Sequence, residues 1–156
     1  MKLLMDSDCL IKLTKAGLKS LVAREFSISI LEVVKGEVVD AGKEKGCADA
    51  HIVEKNIEAH IIKIVETSSD YQTGDGGILA HFNKKDYDAV ATDDTKLIRL
   101  LRINGIPCIV PALIIYRLFQ DRTIDRKTTL GALDKLAVFV SDDEYSAVKL
   151  LMEKIK

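Results

Sequence analysis

Asp6, Glu37, Asp75 and the pair Asp93 and Asp94 are the residues of this chain best suited to chemistry, because separated carboxylates that converge on one point can hold a metal ion. Asp6 ends the short apolar run Met1-Lys-Leu-Leu-Met5, and Asp93 follows the run Asp88-Ala-Val-Ala-Thr92. If these runs are neighbouring parallel strands, roughly 4.8 Å apart, their terminal carboxylates meet in the crevice beyond the sheet's carboxyl edge. An oxygen-only set suits magnesium or manganese, hard cations that keep several waters and take one or two carboxylates directly. Asp6 and Asp93 are the first candidates for direct ligation.

Each acid also has a plainer reading. Asp75 follows Thr73 and Gly74 in the first turn of a helix, where the macrodipole favours an anion, so capping alone accounts for it. Glu37 lies in the apolar helical stretch from Leu31 to Val39 and fits a solvent-facing side chain. One of Asp93 and Asp94 caps a helix, with Asp94 the better placed and Thr92 and Thr95 in competition. Independent capping does not explain why acids end the first and fourth strands and open the following segments at one sheet edge.

To bring these acids together the chain needs a parallel sheet. Short apolar runs alternate with longer amphipathic ones, a βαβα order that predicts an α/β protein with helices on both sheet faces, a three-layer αβα sandwich. The expected strands are Lys2 to Met5, Phe26 to Ile30, His60 to Val65, Asp88 to Thr92 and Pro107 to Val110. The expected helices between them are 9–23, broken at Gly17, then 31–41, 48–59, 75–84 and 94–104. Further helices follow the fifth strand. Pro111 starts the first of them. Ser141 and Glu144 form a capping-box pattern at the start of the last, where Tyr145, Val148, Met152 and Ile155 recur at helical spacing.

With 156 residues, 47% apolar and 30% charged, the chain has room for one well-buried core. A single domain over 1–156 is expected, helices 111–156 being packed on it. The net charge of -1 leaves no global basic field, so nucleic-acid contact must come from a local patch. Cys9, Cys47 and Cys108 match neither a disulfide framework nor the paired spacing of a zinc site, which favours a cytoplasmic location. No run of 18 apolar residues occurs, so no membrane partner is expected.

The ordered set Leu-Leu-Met-Asp6-Ser-Asp8-Cys-Leu-Ile, then Glu37, then Thr73-Gly-Asp75-Gly-Gly-Ile-Leu-Ala80, then Ala91-Thr-Asp93-Asp94-Thr-Lys-Leu resembles the PIN-domain nucleases over nearly the whole chain. The small prokaryotic branch that includes VapC-type toxins of toxin and antitoxin pairs is the most similar, down to Asn104-Gly-Ile-Pro107 before the fifth strand. The resemblance implies a PIN-like sandwich with a mostly five-stranded parallel sheet. It implies hydrolysis of RNA phosphodiesters with magnesium or manganese. Asp6, Glu37, Asp75 and Asp93 would be the acidic positions of the site and Asp94 an accessory metal-binding acid. An antitoxin protein and a homodimer are expected by the same analogy. Two departures stand out. Asp8 occupies a position where a small neutral polar residue is usual, and Asp75 stands where many relatives carry glutamate.

An RNA nuclease must also hold its substrate. Lys96, Arg99 and Arg102 fall three apart on the helix after Asp93, and Lys12 and Lys15 follow Asp6; Lys96, Arg99 and Lys12 are the candidate phosphate contacts, against the reading of a solvated helix face. With no tryptophan and 5% aromatics, a base-stacking platform is not expected. Crowded acids repel, so at least one should have a raised pKa without metal, and acid pH should weaken activity. Two other readings compete. A phosphohydrolase of the haloacid dehalogenase type would use Asp6 and Asp8, with Thr67 as its hydroxyl residue, but leaves Glu37 and Asp75 idle. A non-catalytic PIN-like domain would only bind RNA or an antitoxin. A receiver domain fits worse, since the third strand ends in Val65-Glu66-Thr67 without an aspartate.

Overall fold

The computed structural model describes residues 1–66, 74–83 and 85–154, without the side chains of residues 48 and 49. Thr67, Thr73 and Ile155, named above, lie outside the described residues, as do Ser68 and Ser69 of the loop before Asp75, which could support ligands or simply make turns.

Five parallel strands form one sheet in the order β3-β2-β1-β4-β5: β1 (Lys2–Met5), β2 (Ser27–Leu31), β3 (Ile62–Val65), β4 (Ala89–Ala91) and β5 (Cys108–Ile109). The chain builds outward from β1 to β2 and β3, then crosses back to place β4 on the other side of β1. That reversal is a topological switch point, where the connections leaving two adjacent strands diverge and open a crevice at their carboxyl ends. Leu4 is in register with Ser29 on one side and Val90 on the other. Leu3, Leu4 and Met5 are fully buried, as a central strand covered on both faces requires. Leu4→Ala is expected to lower stability by about 2 to 5 kcal/mol in urea unfolding, because the cavity left in so enclosed a strand cannot collapse.

Helices cover both faces: α1 (Ser7–Lys15), α2 (Lys19–Glu25), α3 (Glu32–Lys35), α4 (Ala41–Glu44), α5 (Ala48–Glu58), α6 (Gly74–His81), α7 (Thr95–Ile103), α8 (Pro111–Gln120), α9 (Arg126–Leu136) and α10 (Asp142–Lys154). The α/β sandwich expected from the alternating pattern is thus the fold. Gly17 divides α1 from α2 with φ +70, a conformation that costs a residue with a side chain. β1 has its expected bounds, β2 is shifted by one residue, and β3, β4 and β5 are shorter than their expected runs because neighbouring residues serve as caps and turns. Phe26 closes α2 through its N–H to Val22, and His60 turns the chain with φ 54.

One feature has no periodic signature. The expected helix over 31–41 is α3, then a π-helical segment Gly36–Asp40, then α4. Such wide turns are rare and shift the side chains that follow them around the helix axis. Glu37 lies in this segment.

The C-terminal helices join the core through α8, which packs against α1 and α2. α8 buries Ile114, Ile115 and Leu118, and α10 contributes Val148 and Met152 to the same core. Ser141 accepts the N–H of Glu144 as a cap should. The Glu144 carboxylate does not complete the box. It accepts the N–H of Ala112 at 2.7 Å, satisfying a donor in the first turn of α8. Among the described residues no helix is long and apolar enough to cross a membrane.

Candidate metal centre

Asp6 is the first residue beyond β1, and its N–H still reaches the sheet, donating to Ala91 of β4 at 3.1 Å. The side chain caps α1: Oδ1 accepts the N–H of Cys9 at 2.8 Å, and Oδ2 accepts the hydroxyl of Thr92. Thr92, fully buried, is the first residue beyond β4, and its hydroxyl oxygen accepts the N–H of Asp94 at 3.1 Å. One threonine thereby ties the carboxyl ends of both strands together. Asp94 caps α7, taking the N–H groups of Lys96 and Leu97 on Oδ1 at 2.7 and 2.8 Å.

At this edge a cavity of about 220 Å³ is lined by Asp6, Ser7, Asp8, Val34, Glu37, Gly74, Asp75 and Asp94. Five carboxylates from four separate stretches of chain therefore share one wall. Glu37 comes from the π-helical segment and Asp75 from the first turn of α6. Gly74 matters here because a Cβ at that position would stand 3.5 Å from both Glu37 oxygens and from Val34, narrowing the approach to the acid.

The electrostatics follow from this crowding. Burial pushes the Asp6 carboxyl up to about 7, with Asp8 and Asp93 adding to the rise and the bonds from Thr92 and Cys9 opposing it. Asp75 is also raised, first by partial desolvation and then by Asp94, Glu37 and Asp8, while Lys96 pulls the other way. The cavity has an excess of negative charge that a cation would neutralise.

Asp93, expected beside Asp6 as a direct ligand, is not on the cavity lining. Its Oδ2 is bonded to the ammonium of Lys12, and its Oδ1 is buried without a hydrogen-bond partner. The same pairing occupies Lys12, an expected phosphate contact. Burial draws the Lys12 ammonium down, but the Asp93 bond and charge, with Asp8 and Glu144, outweigh it and leave the pKa raised. Lys12→Ala should leave the half-buried Asp93 with neither oxygen bonded to the protein. The expected cost is about 2 to 3 kcal/mol in urea unfolding, and Asp93→Asn in the same chain should recover part of it.

Lys96, Arg99 and Arg102 are exposed on α7, and their side chains form no ion pair among the described residues. Thr92 is the positioning group that the sequence reading treated only as a competing cap. The signal for it was its place, one residue beyond a strand and before two acids. Glu144, read as a cap, lies close enough to Asp93 and Lys12 for their charges to act on it; its carboxyl is raised chiefly by burial and then by Asp93.

The donor set is oxygen-only, which fits magnesium or manganese. Among the described residues no three His, Cys, Asp or Glu side chains are gathered closely enough to chelate an ion directly. A hard cation that keeps several waters accommodates this spacing, taking one or two carboxylates and meeting the rest through water.

A family model described as a PIN domain matches residues 2–154. The chain belongs to the PIN-domain family. PIN domains are usually nucleases. No curated protein matches the chain.

Proposed function

We propose that this PIN domain is a divalent-metal-dependent endoribonuclease that hydrolyses RNA phosphodiesters in the cytoplasm. The observation that carries the proposal is the single cavity shared by Asp6, Glu37, Asp75 and Asp94, with Asp8 beside them. Asp6, Asp75 and Asp94 would hold magnesium or manganese, directly or through water. The ion when bound supplies neutralisation of the phosphate's charge and a water of lowered pKa.

The chain's own residues do the rest. Thr92 and the Cys9 N–H fix Asp6 in one orientation, so its remaining lone pairs face the cavity without side-chain reorganisation. Glu37 makes no hydrogen bond or ion pair among the described residues, which leaves its carboxylate oxygens able to accept the proton of the attacking water. Asp93, which pairs with Lys12, adds its charge to the field at Asp6. Lys96 and Arg99, exposed on the helix that Asp94 caps, would meet backbone phosphates.

The phosphohydrolase alternative loses support because both Asp6 oxygens accept protein hydrogen bonds, a poor arrangement for a nucleophile, and because Glu37 and Asp75 line the cavity. A toxin role, an antitoxin partner and a homodimer belong to the same proposal. They are supported by the likeness to VapC-type toxins and by exposed apolar side chains such as Ile103 and Val138, each 80% accessible.

The test is cleavage of single-stranded RNA by the purified chain in magnesium or manganese, with chelator as control. Cleavage that depends on the ion supports the proposal. Binding of RNA without cleavage in manganese would favour a non-catalytic domain. Light scattering reads the oligomeric state in the same preparation.

A further inference from the structure

Glu37 lines both the acidic cavity and a second one of about 170 Å³. Its character is opposite. Ile11, Val38, Ala41 and Ala50 supply apolar walls, and the exposed Lys15 and Lys45 stand at its rim. Neither lysine is in an ion pair among the described residues.

The pocket depends on a close helix crossing. A Cβ on Gly42 would come within 2.8 Å of the Ala50 Cβ, so only glycine lets α4 approach α5 at this point. Ala50 is fully buried and closes the floor.

Resting on the nuclease reading, we propose that this pocket receives one nucleobase of the RNA strand, next to the bond being cut, while Lys15 and Lys45 hold the flanking phosphates. The complementarity is twofold. A base is a flat, largely apolar body joined to an anion on either side, and the pocket is an apolar slot with unpaired cations at its edge. Its shared wall fixes the distance: a nucleotide whose base enters here has its phosphodiester beside Glu37. No aromatic lines the pocket, so aliphatic walls take the place of stacking rings and the base is selected by shape and fit.

Three measurements test this. The first compares a short RNA with the same strand carrying an abasic ribose on one or the other side of the cut bond. One abasic substrate should lose at least 10-fold in kcat/KM with the parent protein. Ala41→Phe, which fills the slot, should lose a similar factor on the intact strand and little more on that abasic one. Equal cleavage of all substrates by the parent protein overturns the proposal.

The second needs neither turnover nor a core substitution. Lys15→Ala with Lys45→Ala should make the salt dependence of RNA binding shallower by about 1.4 in log-log slope, two phosphates' worth for a single strand. The third uses Cys47, exposed at the pocket. In chelator, the RNA oligonucleotide should slow its alkylation at least 5-fold, and inorganic polyphosphate should not.

If Ala41→Phe fails to fold, an unchanged slope together with unprotected Cys47 overturns the proposal. If the parent protein cuts no RNA, the nuclease reading fails, yet slowed Cys47 alkylation and a shallower slope would still support the base pocket.

Discussion

Glu37→Gln is expected to lower RNA cleavage by about 100-fold or more while leaving the fold and its stability nearly unchanged. The substitution keeps the side chain's shape and removes only its charge and its capacity to accept a proton. Glu37 contributes no hydrogen bond or ion pair among the described residues, so nothing structural is lost with the charge. Glu37 is exposed, so an amide at its end meets no new burial cost. Steady-state cleavage and urea unfolding on the same preparation separate the two effects. A phosphohydrolase working through Asp6 would barely register the change. Full activity in Glu37→Gln would remove this residue from the chemistry and with it the nuclease mechanism proposed above.

The sequence discloses this site unevenly, for reasons that lie in what each residue reports locally. Asp6 and Thr92-Asp93-Asp94 were legible because a short apolar run that stops at an acid marks the carboxyl end of a strand, and two such ends converge whenever the strands pair in parallel. The pairing of β1 with β4, Met5 opposite Ala91, is the geometry that this reading needed. What a sequence does not disclose is which of two adjacent acids turns toward the crevice. Asp93 and Asp94 differ by one position, but the hydroxyl of Thr92 and the first N–H groups of α7 claim Asp94, and Lys12, distant in sequence, claims Asp93. An ion pair between residues 81 apart has no local signal.

Glu37 shows the same limit in another form. An acid in an apolar helical stretch is expected to face solvent, and Glu37 is indeed exposed; that it also lines the acidic cavity has no periodic signature, because it sits in a π-helical turn. The short β5 and the caps at Phe26 and His60 were missed for a simpler reason. Apolar residues flank strand ends as readily as they fill strands, so the pattern extends past the hydrogen-bonded ladder.

Asp6→Asn should abolish cleavage and, in metal-free buffer at pH 8, make the protein more stable. The Asp6 carboxyl is raised from 3.8 to about 7 in the folded chain, chiefly by burial. A carboxyl whose folded pKa lies above its unfolded value binds its proton more tightly in the native state, so the native state is penalised as the group ionises. The penalty is absent below the unfolded value near 4, grows as pH rises toward 7, and is constant above it. A shift of this size corresponds to about 4 kcal/mol at most. Asparagine keeps an oxygen for the Cys9 N–H and an amide N–H for the Thr92 oxygen, without the buried charge. Urea unfolding in chelator at pH 4 and pH 8 should therefore show parent and variant nearly equal at the lower pH, with the variant ahead at the higher. Manganese should reverse the order, because an ion that binds only the folded parent chain stabilises it in proportion to the logarithm of its concentration over Kd. The same ionisation gives the activity its direction: cleavage falls as pH drops and protons displace the ion from the acids. Equal stability of parent and variant across this range, with and without manganese, would mean that Asp6 is neither desolvated nor a ligand. The acidic cavity would then lack the residue on which its chemistry depends.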